Sequence, residues 1–196
     1  MSEQVNARVP TLGSEVRNSS LIAEAAFALV ARGDSMREPV AMGAAVESAR
    51  RYLLGFSLNP PSDHSLDGDE LEEVRQLADA LARMTREFVH IEFWPSVPGC
   101  GVVDTGHADI VADGCIYEVK SVSRKFRASD VRQLLTYCAM FSANGRQYAE
   151  MGLINPRLGT RVNVSLEFVA QGVSGLSWAE LAREIIRRMT ELQVSG

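Results

Sequence analysis

The stretch that decides the fold is GHADIVADGCIYEVKSV, residues 106–122. Its central Asp-Gly pair lies between two apolar, β-rich runs, which is a strong signal for a two-residue β-hairpin. Pairing outward from this turn places Asp109 opposite Glu118, with Cβ atoms roughly 5 Å apart on one sheet face. Lys120 shares that face because strand side chains alternate with a period of two. Like charges in directly opposed positions destabilise a sheet. The pattern therefore indicates that another group offsets the repulsion between the two acids.

A divalent metal ion is the usual reason for two facing carboxylates, because without a cation each raises the pKa of the other. Mg²⁺ is typically held by one or two carboxylates, waters and substrate phosphate. A metal held by Asp109 and Glu118 would polarise a phosphoryl oxygen and acidify a bound water. Lys120 would orient or deprotonate that water, or stabilise the charge developing on the phosphate. The alternative interpretation is a charge cluster on a solvated sheet face, in which Lys120 neutralises Glu118.

Length and composition narrow the class of protein. The chain has 196 residues, about the size of one ordinary domain, and 46% of them are hydrophobic. It has no run long enough for a membrane helix and no signal-peptide pattern at its N-terminus, which predicts a cytoplasmic protein with no membrane partner. The three cysteines are scattered and offer no four-cysteine set for zinc or an iron–sulfur cluster. The net charge of −5 argues against coating nucleic acid with the whole surface, but leaves a local basic patch possible.

The hydrophobic pattern predicts an α/β fold with a mixed central β-sheet flanked by helices on both faces. We expect residues 1–36 to form an N-terminal helical extension and residues 37–196 to form a single globular domain. Before the hairpin, the pattern predicts a helix ending near Gly33, a helix with Pro39 in its first turn and Gly55 after its end, a loop over 56–68, a helix over 69–88 and a strand over 89–94. After the hairpin, it predicts a helix with Ser129 or Asp130 near its N-cap and strands over 151–156 and 161–169. The last predicted element is a helix whose Ser177 and Glu180 have capping-box spacing.

The residues of the hairpin resemble the PD-(D/E)xK nuclease superfamily. Asp109, followed on the next strand by Glu118-Val-Lys120, has the form of the superfamily signature. Gly106-His-Ala-Asp109 resembles the Gly-x-x-Asp motif of the RecB-like branch. The resemblance implies a restriction-endonuclease-like core and hydrolysis of phosphodiester bonds.

Two further motifs lie on the expected helices. Gln133-Leu-Leu-Thr-Tyr137 matches the Gln-x-x-x-Tyr motif that the RecB-like branch carries after the lysine strand. Gly43-Ala-Ala-Val-Glu47 resembles the Gly-x-x-x-Glu of the first helix in lambda-type exonucleases, where the glutamate helps to hold metal. Together the four motifs extend over roughly residues 42–155.

The resemblance implies a role for each of these side chains and a Mg²⁺ or Mn²⁺ cofactor, with no iron–sulfur cluster. Lys120 would act on the attacking water, and Gln133 and Tyr137 would orient Lys120 or contact the substrate backbone. The implied metal ligands are Asp109, Glu118, the backbone carbonyl of Val119, and Glu47 directly or through water. Alternatives remain open: Glu47 as a solvent-facing helix charge, Glu92 as a weaker rival acid, and Gln133 with Tyr137 as ordinary helix–sheet packing.

Basic residues follow the lysine strand closely. Arg124, Lys125, Arg127 and Arg132 lie where a phosphate backbone would approach, and such contacts bind without reading sequence. The alternative is a solvated loop and helix start. Arg157 and Arg161 are further candidates for lining a substrate channel, whereas His107 is expected on the opposite sheet face in a structural role.

The expected function is that of a Mg²⁺-dependent deoxyribonuclease, with exonuclease and endonuclease action both open. We expect a nuclease subunit of a DNA-processing or phage-defence system, whose specificity comes from a larger protein partner or from homo-oligomers around DNA. The alternative is a catalytically inactive nuclease-fold module that binds nucleic acid or a protein partner.

Overall fold

The computed structural model describes residues 2–4, 8–12, 18–55, 65–101 and 103–194. The predicted loop over 56–68 therefore lies mostly outside the described residues. None of the helices in these ranges is long and apolar enough to cross a membrane. The described helices are α1 (Ser19–Arg32), α2 (Pro39–Leu54), α3 (Gly68–Thr85), α4 (Ala128–Ala143), α5 (Leu166–Ser174) and α6 (Trp178–Val194). The described strands are β1 (Ser2–Gln4), β2 (Ile91–Phe93), β3 (Ser96–Val97), β4 (Gly106–His107), β5 (Ile110–Ala112), β6 (Cys115–Val119), β7 (Glu150–Asn155) and β8 (Thr160–Ser165).

The predicted mixed α/β fold is confirmed. Within the described ranges, one six-stranded sheet has the order β1-β8-β7-β6-β5-β2, and β3 pairs with β4 separately. Strands β6 and β7 run parallel, with α4 as the crossover between them, and the other neighbours in the large sheet run antiparallel. The crossover brings the N-terminal half of α4 close to the end of β6, where the predicted site lies.

The hairpin between β5 and β6 has the predicted register, since Ile110 pairs with Tyr117 and Ala112 with Cys115. Asp113 and Gly114 have φ angles of 47° and 82°, the left-handed conformation that a type I′ turn requires. The Asp113 carboxylate also accepts hydrogen bonds from the backbone N–H groups of residues 89 and 90, at 3.1 and 2.9 Å. Asp113 therefore holds the backbone directly before β2 in place, in addition to forming the hairpin turn.

Helices cover both faces of the sheet. On one face Phe27 of α1 and Met84 of α3 pack against Ile110 and Tyr117. On the other face the helices after β6 enclose Ile116 and neighbouring strand residues. Because α1 contributes to the same core as the sheet, the expected boundary between residues 36 and 37 does not coincide with a break in packing.

Some predicted boundaries were wrong. The predicted strand over 161–169 ends at Ser165, whose side chain accepts a hydrogen bond from the Phe168 N–H and starts α5. The apparent alternation at 166–169 was misleading, because Leu166 and Ala170 have helical spacing and are buried whereas Phe168 is exposed.

Three other elements also have ends that differ from the sequence prediction. Arg127, and not Ser129 or Asp130, is the N-cap of α4, and the Asp130 carboxylate accepts a hydrogen bond from the Arg127 N–H at 2.8 Å. The helix predicted over 69–88 ends at Thr85, and the strand predicted over 89–94 is confined to Ile91–Phe93.

Candidate active site

A polar cluster lies where the open end of the hairpin meets α4. The Lys120 ammonium donates to Glu118 Oε1 at 2.7 Å and to Gln133 Oε1 at 2.9 Å. Gln133 Nε2 in turn donates to Glu118 Oε1 at 2.8 Å and to the Tyr137 hydroxyl at 3.4 Å. Gln133 and Tyr137 reach the cluster together because residues four apart share one face of a helix. The structure thus brings together Glu118, Lys120, Gln133 and Tyr137, which the sequence motifs had singled out.

Asp109 joins this cluster from the segment just before β5. Its Oδ2 accepts a hydrogen bond from the Val119 N–H at 2.7 Å, so the carboxylate lies beside the end of β6. Burial, with the Glu118 charge as the next cause, raises the pKa of Asp109 well above its usual range. The backbone bond from Val119 opposes this change without cancelling it. Two adjacent carboxylates therefore resist being ionised together.

Glu118 is buried between the sheet and α4, with only 4% of its surface exposed. Its Oε1 accepts two hydrogen bonds, but its Oε2 has no partner among the described residues. Burial raises the pKa of Glu118 despite the opposing effect of Lys120. A buried polar atom without a partner is costly and uncommon in native proteins. The arrangement fits a cation or a water bound at Oε2.

Glu24 of α1 is a member of this acidic group that the sequence motifs did not identify. It is half-buried, and burial followed by the Glu118 charge raises the pKa of Glu24 to about 7. It lines a cavity of about 500 Å³ together with Val119 and Lys120. The available signal was a single acidic residue inside the apolar run LIAEAAFALV.

The two other acids considered from the sequence lie outside this cluster. Glu47 is on the exposed face of α2, where 61% of its side chain is accessible and it approaches Arg51 at 3.9 Å. Glu92 is also exposed and pairs with Arg146 at 2.7 Å. Glu24, and not Glu47, is the acid of the first two helices whose charge acts on Asp109 and Glu118.

The basic residues near the site differ in how available they are. Arg124 makes two hydrogen bonds to Asp130, at 2.7 and 3.0 Å, and this pairing lowers the pKa of Asp130 to about 2. Lys125, Arg127 and Arg132 are exposed. Arg124 therefore helps to hold the start of α4, whereas the other three present charge to solvent.

Arg157 and Arg161 also have partners inside the fold. Arg157 is buried and pairs with Glu73 at 2.5 Å, so it is not a surface contact for a phosphate backbone. Arg161 donates to the Met84 carbonyl at 2.8 Å. Both residues are engaged in packing between elements, and Arg157 also lines the cavity that contains Glu24 and Lys120. That either residue lines a substrate channel stays a prediction.

The cluster offers part of the oxygen donor set that a divalent cation needs. In the described ranges, no group of three His, Cys, Asp or Glu side chains is arranged as a complete metal site. Mg²⁺ does not require one, because it usually keeps several waters and binds one or two carboxylates. Asp109 and Glu118, whose Oε2 has no partner among the described residues, fit that partial set. The Val119 carbonyl as a ligand stays a prediction.

The chain matches no protein-family model, and no curated protein or solved structure is significantly similar to it. Its function must therefore be inferred from its own residues and their geometry.

Proposed function

We propose that this chain is a metal-dependent nuclease of the PD-(D/E)xK superfamily, with a restriction-endonuclease-like core, that hydrolyses DNA phosphodiester bonds. The observation that carries the proposal is the buried Oε2 of Glu118, which has no partner in the part of the chain that the structure describes and lies beside the Asp109 carboxylate and the Lys120 ammonium. Such an arrangement favours a compensating ligand, because an unpaired buried carboxylate oxygen destabilises the fold. A divalent cation would satisfy Glu118 and relieve its repulsion with Asp109 at once.

Asp109, Glu118 and the Val119 carbonyl would hold the Mg²⁺ or Mn²⁺ ion, and Glu24 would take the place that the resemblance gave to Glu47. A bound metal of this kind supplies Lewis acidity toward a phosphoryl oxygen and lowers the pKa of a bound water. The ligand oxygens would be held in place by the β5–β6 hairpin and by α1. That rigidity would hold the scissile phosphate in a constant position.

Lys120 acts in this proposal as a positively charged hydrogen-bond donor. Burial is the largest single effect and lowers the pKa of Lys120, but the charge and hydrogen bond of Glu118 together with the charges of Asp109 and Asp130 leave the pKa raised. The ammonium form is therefore the one that meets the substrate, where it stabilises negative charge developing on the phosphate. Gln133 positions it, because its amide joins Lys120 to Glu118.

DNA would reach the cluster past the exposed residues Lys125, Arg127 and Arg132, which follow the lysine strand. Such contacts attract the phosphate backbone without reading its sequence. With a net charge of −5, the chain as a whole does not attract nucleic acid, so guidance of a substrate depends on local basic residues such as these. We therefore propose a nuclease subunit in a DNA-processing or phage-defence system, with a larger partner or further copies of the chain supplying specificity.

The test is cleavage of linear, circular and single-stranded DNA in Mg²⁺, Mn²⁺ or EDTA. We expect cleavage that requires metal, and at least a hundredfold loss of rate in Lys120→Ala, since removing one electrostatic stabiliser costs roughly 10²–10³ in rate. Arg188→Ala is the control, because it removes an exposed positive charge on α6 that no step of the proposal uses. Equal rates in Lys120→Ala and wild type would contradict the proposed site.

The second candidate is a catalytically inactive nuclease-fold module that binds nucleic acid or a protein partner. The observation favouring it is that the described residues contain no complete three-ligand metal site and that Lys120 is already paired with Glu118. DNA binding without cleavage in either metal would support this candidate over the first.

A further inference from the structure

A second pocket shares Glu24 with the cavity that contains Lys120. It has a volume of about 310 Å³ and is lined by Ser48 and Tyr52 of α2, by Trp94, by His107 and by Glu24. Three of these five side chains are planar rings. Tyr52, Trp94 and His107 are not among the metal or lysine positions described above, and Glu24 connects their pocket to the proposed metal site.

Trp94 is held in place by an uncommon backbone conformation. Its φ angle is 50°, in the left-handed region that bulky residues rarely adopt. The Trp94 N–H donates to the Asp109 carbonyl at 3.0 Å, and its ring packs edge-on against Phe27 with centroids 5.3 Å apart. Strained residues persist where the surrounding fold enforces them, and they cluster at functional sites. The indole is thus fixed to the same segment that carries the metal-site aspartate.

Tyr52 forms a more accessible wall of the pocket. It is 41% exposed, so part of the ring faces solvent. Burial of its hydroxyl, followed by the charges of Glu24 and Asp109, raises the pKa of Tyr52 to about 12. The ring therefore extends from the surface toward the acidic cluster, and a ligand lying on it would be next to the cluster.

We propose that this pocket receives one unpaired nucleobase of the strand being cleaved, stacked on Trp94 and Tyr52. The inference rests on the proposed nuclease function and adds a preference for single-stranded or frayed DNA. Aromatic rings stack on any base, and the Ser48 hydroxyl and His107 can meet its polar edge without selecting one base. A volume of 310 Å³ is at the lower end of the roughly 300–1,000 Å³ of small-ligand pockets, which suits one base.

A base inside a duplex could enter only by leaving its stack, which costs free energy. The pocket therefore predicts tighter binding of single strands than of blunt duplexes. It also predicts little dependence on sequence, because stacking accounts for most of the contact.

The experiment uses the full chain in EDTA, where cleavage cannot occur. The chain has two tryptophans, so Trp178→Phe leaves Trp94 as the fluorescent reporter. We expect a short oligothymidylate to quench Trp94 saturably, and its blunt duplex with oligoadenylate to quench it much less. Tyr52→Ala should weaken binding of the labelled single strand by roughly fivefold or more, as expected for one lost stacking contact. Phe168→Ala is the matched control, since it removes an aromatic ring that is 73% exposed on α5.

The pocket is overturned by unchanged Trp94 emission at saturating oligothymidylate, by no binding of the single strand, or by equal affinities of Tyr52→Ala and Phe168→Ala. Failure of the pocket is distinguishable from failure of the nuclease. Cleavage that depends on Lys120 without quenching would leave the nuclease standing and remove the pocket. Quenching of Trp94 without cleavage in any metal would support base binding in the pocket and contradict the nuclease.

Discussion

At the scale of single residues, the central feature is the mutual repulsion of Glu24, Asp109 and Glu118. All three have a raised pKa, and burial is the first cause in each case. A raised carboxyl pKa means that the folded state binds protons more tightly than the unfolded chain. Ionising these groups without a cation therefore destabilises the fold.

The first prediction concerns the pH dependence of stability without metal. Because the pKa of Glu24 is raised from 4.5 to about 7, its contribution is fully present below pH 4.5 and is lost as pH rises to about 7. In Glu24→Gln the free energy of unfolding should fall less over this pH range than in wild type, by up to about 3 kcal/mol. The measurement is urea unfolding in EDTA at a series of pH values. Glu47→Gln, on the exposed face of α2, should follow wild type, and parallel curves for wild type and Glu24→Gln would contradict the assignment.

The sequence was sufficient for the residues whose proximity is local. A two-residue turn sets Asp109 beside Glu118, alternation adds Lys120, and the following helix adds Gln133 and Tyr137. Glu24 could not be placed in the same way, because the face of α1 that approaches the sheet depends on packing between elements distant in sequence. Glu47 was misplaced for that reason too, since α2 buries only Ala45 and Ala49 and turns Glu47 outward.

At the scale of elements, the middle of β7 is shaped by the ring of Tyr117 on β6. A Cβ at Gly152 would lie 2.3 Å from the Tyr117 ring and 2.7 Å from the Val162 carbonyl. Neither neighbour can move freely, because Tyr117 is buried and Val162 is paired in the sheet. The close approach of three strands therefore depends on glycine at this position.

The second prediction is that Gly152→Ala destabilises the protein by about 1–3 kcal/mol, the usual cost of overpacking a core. Gly172→Ala is the control, because Gly172 lies on exposed α5 with nothing within 4 Å of an added Cβ. That substitution should stabilise by about 0.5–1 kcal/mol, since alanine favours a helix. Thermal unfolding measures both, and equal midpoints for the two variants would refute this account of β7.

The β8–α5 junction illustrates which element boundaries a sequence leaves ambiguous. Apolar and polar residues alternate from Val162 to Phe168 as they do in a strand, yet a helix begins after Ser165. A capping hydrogen bond from the Phe168 N–H decides the outcome. Such a bond depends on the backbone entering at the right angle, which short-range alternation does not encode.

At the scale of the whole molecule, Arg157 joins segments that are far apart in the chain. Its guanidinium pairs with Glu73 of α3 at 2.5 Å and donates to the carbonyls of Ser121 and Pro10, each at 3.3 Å. Glu73 in turn accepts from the Leu12 N–H at 2.7 Å. Arg157 therefore fixes the segment that follows Lys120. No sequence pattern could reveal these contacts, because they join positions up to 147 residues apart.

The third prediction is that Arg157→Ala lowers the free energy of unfolding by about 3–5 kcal/mol, because it removes the guanidinium that pairs with the buried Glu73 carboxylate. Arg188→Ala should change it by less than about 1 kcal/mol, since that side chain is 69% exposed in its ion pair with Glu184. Chemical denaturation of both variants is the measurement. A loss in Arg157→Ala as small as that in Arg188→Ala would show that the buried pair does not hold the segments together.

The central claim is that the buried carboxylates of Asp109 and Glu118 form a divalent-cation site, and direct titration of the purified chain with Mn²⁺ by calorimetry tests it most closely. We predict saturable binding in wild type, loss of that binding in Glu118→Gln and Asp109→Asn, weakening in Glu24→Gln, and no change in Glu47→Gln or Glu92→Gln. Binding that is absent from wild type, or equally strong in wild type and Glu118→Gln, would contradict the site and the nuclease proposal that rests on it.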